Sequence, residues 1–192
     1  MLVGYGILPS LPVRNYVRAA EVRIAERYGE HHGLAQPPHV MFKRAFPVDS
    51  IEPYERYFER LVSEIEPFEI VVRAVAAFET PLVVYLDLVQ DPRLKALQNR
   101  VLSELAPLGV RPAPFEDDRP VPYQFHLTVA YGMSAEDHAD LLRWLPEPPE
   151  LRFMVDRLAM FVYTGSDELN EWTSGYGITY REAEVPAARH LV

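Results

Sequence analysis

Two hydrophobic rhythms take turns along the chain. Val13, Val17, Ala20, Ile24 and Tyr28 recur at helical spacing up to Gly33, with Ser10 as a candidate N-cap and Pro12 suited to the first turn. Ile51, Tyr54, Phe58, Leu61 and Ile65 mark a second helix behind Asp49 or Ser50. Leu94, Leu97, Val101 and Leu105 mark a third, opened by Asp91 and Pro92. Ser134 with Asp137 resembles a capping box for a fourth helix that ends near Trp144. Between these lie extended stretches: Leu2 to Leu8, Pro38 to Ala45, Phe68 to Phe78, Leu82 to Val89, Tyr123 to Gly132, Leu151 to Tyr163 and Trp172 to Tyr180.

The order of elements repeats. A helix, a strand holding one histidine, another helix and a strand pair occur in the first half and again in the second. Alternate strand residues point to opposite faces, so Phe125, Leu127, Val129 and Tyr131 share one face while His126, Thr128 and Ala130 share the other. In the earlier copy Val40 and Phe42 form the apolar face, leaving His39, Met41 and Lys43 on the second. Two such strands, one from each half, would bring two imidazoles to one groove. The expected architecture is therefore α+β: one domain over 1–192, made of two lobes at about 1–89 and 90–180 related by a pseudo-twofold axis, with 181–192 as a tail.

Composition narrows the function. With 192 residues, 48% of them hydrophobic, the chain can bury a full core. It has no cysteine, which excludes disulfides, thiol nucleophiles and thiolate metal sites and fits a reducing compartment. No signal-peptide pattern or membrane-length apolar run is present, so a soluble cytoplasmic protein is expected; a monomer is expected as well. The net charge of −9 has the wrong sign for broad gripping of a nucleic-acid backbone. Any nucleic acid should be small, or held by one end. Between Pro107 and Tyr123 runs a proline-rich loop carrying Glu116-Asp117-Asp118-Arg119, long enough to be expected as a lid or binding edge.

The doubled histidine strands resemble the two-histidine (2H) phosphoesterase superfamily, which includes the 2′-5′ RNA ligase-like proteins and RNA 2′,3′-cyclic phosphodiesterases. The second motif, His126-Leu127-Thr128, is intact, and Arg119-Pro120 looks like the family segment that precedes it. The first, His39-Val40-Met41, has methionine where the family usually has threonine or serine. The resemblance implies a duplicated fold with antiparallel sheets flanked by helices and an active groove between the lobes. It also implies His39 and His126 as a metal-free acid and base, acting on an RNA end or a small cyclic nucleotide. Histidine, with a pKa near 6.5, can fill either role. Thr128 is expected to donate to a phosphate oxygen, and Lys43 to supply part of the stabilisation lost at Met41, whose thioether donates nothing. No cofactor is expected, and no ligand spacing such as HExxH is present to suggest a metallohydrolase. Tyr5, Phe115 and Tyr123 are candidates for stacking on a base. Met41 leaves open a rival reading, a non-catalytic binder of nucleotides or RNA ends.

Overall fold

The structure, a computed structural model, describes residues 1–29, 32–117, 121–164 and 177–186. Helix α1 (Leu11–Tyr28) follows strand β1 (Leu2–Ile7) and buries Val13, Val17, Ala20 and Ile24, the positions its apolar spacing marks. Strand β2 (Val40–Pro47) and helix α2 (Glu52–Glu64) come next, then the hairpin β3 (Glu69–Glu79) and β4 (Leu82–Leu88). Asp91 caps helix α3 (Pro92–Leu105) by accepting the Arg93 amide at 2.7 Å. After strand β5 (His126–Tyr131), Ser134 caps helix α4 (Ala135–Trp144) through the Asp137 amide at 3.1 Å. The expected strand from Leu151 to Tyr163 is broken at Val155 and Asp156 into β6 (Arg152–Met154) and β7 (Arg157–Thr164), because its two parts pair with different partners, β3 and β1. Strand β8 is Gly177–Glu184, so the start of the expected tail is ladder on β7.

The eight strands form one sheet in the order β6-β3-β4-β5-β2-β1-β7-β8. Side chains from all four helices and from one face of the strands fill a single apolar core that includes Tyr5, Phe42, Phe58, Leu86, Leu97 and Leu127. The other face carries a smaller cluster of Leu2, Leu8, Ala45, Ala159, Phe161 and Tyr163. The order is symmetric about the seam between β5 and β2. Across it β1-α1-β2-α2-β3 matches β4-α3-β5-α4-β7. A cut near residue 89 does not divide this sheet. Strand β4 lies beside β5 with β3 next in line, and β7 returns to β1, while α1 packs on β5 and α3 on β2. Element order was visible in the chain, but long-range pairing is decided by which apolar faces cover each other. None of the helices is long and apolar enough to cross a membrane among the described residues.

One ion pair fastens the long loop after α3. Glu116, fully buried, accepts from the Lys43 ammonium at 2.7 Å, from the Ala113 amide at 2.7 Å, and from the Arg44 amide. The segment leading to Glu116 is thus tied to β2 instead of hanging free as a lid. Arg119 and Pro120 lie outside the described residues. Burial pushes the Lys43 pKa down and the Glu116 carboxylate opposes that shift. Removing one partner of such a pair leaves an uncompensated buried charge. Glu116→Gln should therefore cost about 3 kcal/mol of unfolding free energy, read from urea denaturation; a loss below about 1 kcal/mol, the ordinary worth of a surface pair, would contradict this role.

Candidate functional site

At the seam, Val40 stands opposite Leu127 in an antiparallel pair, and both side chains are fully buried on the helix side. Antiparallel pairing then fixes their neighbours. His39 faces Thr128 across the seam, and Met41 faces His126. All four lie on the face opposite the helices, and all are partly exposed. The fold thus brings together His39, His126 and Thr128, with Met41 completing the square.

The two histidines are held alike. Nδ1 of His39 lies 2.8 Å from the Pro37 carbonyl oxygen, and Nδ1 of His126 lies 2.7 Å from that of Gln124. A carbonyl only accepts, so each Nδ1 carries its hydrogen and each Nε2 is left to take or give a proton. Aromatic rings brace both imidazoles. Phe161 sits 4.5 Å from His39 between ring centroids, and Phe78 sits 5.1 Å from His126 with Tyr85 at 5.0 Å. Phe161 and Phe78 are pseudo-twofold mates, since Phe161 pairs with Gly4 as Phe78 pairs with Val83. Gly6 makes room for the His39 arrangement. A Cβ there would come within 3.0 Å of Phe161 Cε2, 3.1 Å of the Val40 oxygen and 3.4 Å of His39 Cδ2.

Burial dominates the electrostatics. It pushes the His39 pKa down to about 4, with the Pro37 carbonyl opposing and the His126 charge adding to the fall. His126 is lowered too, first by burial; the Gln124 carbonyl and Asp87 pull it back up, and Arg44 pushes it further down. Both imidazoles are therefore neutral near pH 7 when the groove is empty. An anion placed between them would favour their protonated forms.

Lys43 does not join this site. The β2 register slips twice against β1, placing Lys43 opposite Tyr5, whose ring belongs to the helix-side core, and the ammonium is committed to Glu116. A simple period-two reading cannot see such bulges. The cation whose field reaches His126 is the next residue, Arg44, half-buried and with no acceptor holding its guanidinium among the described residues. Of the proposed stacking residues, Tyr5 is fully buried, packed among Phe42, Phe46, Tyr57 and Phe58. The Tyr123 hydroxyl donates to the Met41 carbonyl at 3.1 Å, and Phe115 is exposed with φ of +72°. Among the described residues no group of three or more histidine, aspartate or glutamate side chains is placed to hold a metal.

Known proteins are similar to this chain in sequence or in fold. The sequence profile of the 2′-5′ RNA ligase superfamily matches residues 9–167. A Bacillus cereus protein bearing the name "Putative phosphoesterase" is 27% identical over 146 residues, covering 74% of this chain and 76% of its own. In fold, the chain is similar to TT0787 of Thermus thermophilus (TM-score 0.64, 16% identity, 98% of this chain and 100% of that one). It is also similar to LigT of E. coli in complex with 3′-AMP (TM-score 0.61, 16% identity, 95% and 97% of the two chains).

Gly6→Ala should disturb His39 selectively. The added methyl must displace Phe161 or the Val40 backbone, at about 1–3 kcal/mol of stability, and the ring resonances of His39 should shift while those of His126 stay. Unchanged His39 resonances would show that the glycine is not what seats the ring.

Proposed function

Because this chain belongs to the 2′-5′ RNA ligase (2H phosphoesterase) superfamily, we propose that it is a metal-independent phosphodiesterase acting on 2′,3′-cyclic phosphate ends of RNA or on small cyclic nucleotides. Joining of RNA ends through a 2′-5′ bond is the reverse reaction in the same site. The observation that carries this reading is the seam itself, where two imidazoles with free Nε2 atoms flank one ladder position on one face of the sheet. Opening a cyclic phosphodiester needs a base to take a proton from the attacking water and an acid to give one to the leaving ribose oxygen. One histidine fills each role. Thr128 donates its hydroxyl hydrogen to a non-bridging oxygen, and the Arg44 guanidinium supplies charge on the side where Met41 supplies none. LigT, which shares the fold, was crystallised with nucleotides, and the chain's net charge of −9 suits a short or end-held substrate better than a long duplex.

Met41 favours a second reading. With a thioether opposite His126, the groove would still bind a nucleotide or RNA end yet turn it over poorly or not at all. Hydrolysis of an oligonucleotide ending in a 2′,3′-cyclic phosphate, run in excess EDTA, separates the two. Activity is expected in the native protein and a fall of at least about 100-fold in His39→Ala and in His126→Ala, the usual worth of a positioned acid or base. A native protein that binds the oligonucleotide without hydrolysing it, and is not awakened by Met41→Thr, would support the binder.

The pH profile has a definite sign. The base must be neutral and the acid protonated, and both pKa values lie below 6.5. Lowering the first extends activity to more acid pH, and lowering the second cuts it off earlier as pH rises. The kcat/KM profile, which reports the free enzyme, should peak below pH 6.5; a maximum above pH 7 would contradict the buried, neutral imidazoles.

A further inference from the structure

The pseudo-twofold axis makes the two histidines equal in backbone setting but not in what stands beside them. In one half Ile7 pairs with Val40, and in the other Leu86 pairs with Leu127. One step further along each register, Asp87 faces His126, while the matching position beside His39 is Leu8. Both are buried, Leu8 completely and Asp87 to within 3%. A carboxylate therefore occupies one half of the site where the other half has a hydrocarbon.

We propose that Asp87 is a positioning residue that makes His126 the proton carrier of the pair, and hence the general acid, leaving His39 as the base. The proposal rests on the phosphodiesterase reading and assigns its direction. Gln124 links the two groups: its carbonyl receives the His126 Nδ1 hydrogen at 2.7 Å and its side-chain amide donates to Asp87. Arg73 on β3 also pairs with Asp87, but its side chain is 66% exposed, so water screens it and much of the carboxylate's field still reaches the imidazole. Among the described residues, the other groups around His126 are Tyr85 on β4, Phe78 on β3, Met41 and Arg44 on β2 and His39 across the seam. The two rings are uncharged; the Arg44 guanidinium opposes protonation of His126, and the charge His126 would carry lowers the pKa of His39 in turn. Asp87 is the carboxylate that favours it.

The step then balances. The water oxygen bonds to phosphorus as its proton passes to His39 Nε2. The bond from phosphorus to the leaving ribose oxygen breaks, and that oxygen takes the proton of His126 Nε2. Water has been added across the ester, the imidazoles have exchanged charge states, and solvent restores them.

The test is a histidine-ring NMR titration of the ligand-free full chain, beside the kcat/KM profile on a 2′,3′-cyclic nucleotide. His126 should titrate at higher pH than His39. Asp87→Asn should move the His126 curve to lower pH by about one unit, pulling the alkaline limb of the kinetic profile with it and leaving His39 in place. Arg73→Gln, at an exposed position, should move His126 the other way and guards against misfolding of the first variant. A native His39 that titrates above His126, or a His126 curve unmoved in both variants, would overturn the assignment. Titrations as stated, in a protein that hydrolyses no cyclic phosphate, would instead remove the enzymatic reading while leaving Asp87 as the setting of His126 protonation.

Discussion

Two halves of this molecule meet at a single ladder position, Val40 against Leu127, and the rest of the structure serves to hold that contact in register. The pair is buried beneath, which leaves the flanking residues on each strand no choice of face. A slip of one residue on either strand would send that strand's histidine into the core. Strand and helix exchange between the halves guards against this: β3 and β4 brace β5, β7 and β1 brace β2, α1 supports the far strand β5, and α3 supports β2. Neither half can shift without carrying parts of the other.

Burial at the seam then dictates the chemistry. Rings of Phe78, Tyr85 and Phe161 displace water from the imidazoles and make the charged form costly. The same dry environment would strengthen every interaction with a phosphate anion once it arrives. Nearby cations follow different paths. Lys43 is consumed in holding Glu116 and the loop, whereas the Arg44 guanidinium, near His126, has no acceptor among the described residues. One residue of bulge decides which of the two adjacent cations is structural and which faces the site.

Much of this was legible in the chain. Period-two alternation around His39 and His126 places each beside its second motif residue on one face, and the repeated element order announces the pseudo-symmetry. Capping by Asp91 and Ser134 follows from their sequence setting. What could not be read depended on contacts between distant segments. Nothing local distinguishes Lys43 from Arg44, because the register slips arise where β2 is fitted to β1. Asp87 reads as an ordinary polar residue at the end of an apolar strand until β4 pairs with β5. The division of Leu151 to Tyr163 into β6 and β7 likewise reflects two partners far apart in sequence.

The central claim is that His39 and His126 act on one phosphate held between them. It is tested most directly by adding 3′-AMP to the protein labelled with nitrogen-15 in its histidine rings and following the Nε2 signals of both. Both should move along one binding curve with a single equivalent of nucleotide, and Thr128→Ala should weaken that curve. Movement of one histidine alone, or of neither at saturation, would contradict a shared phosphate site.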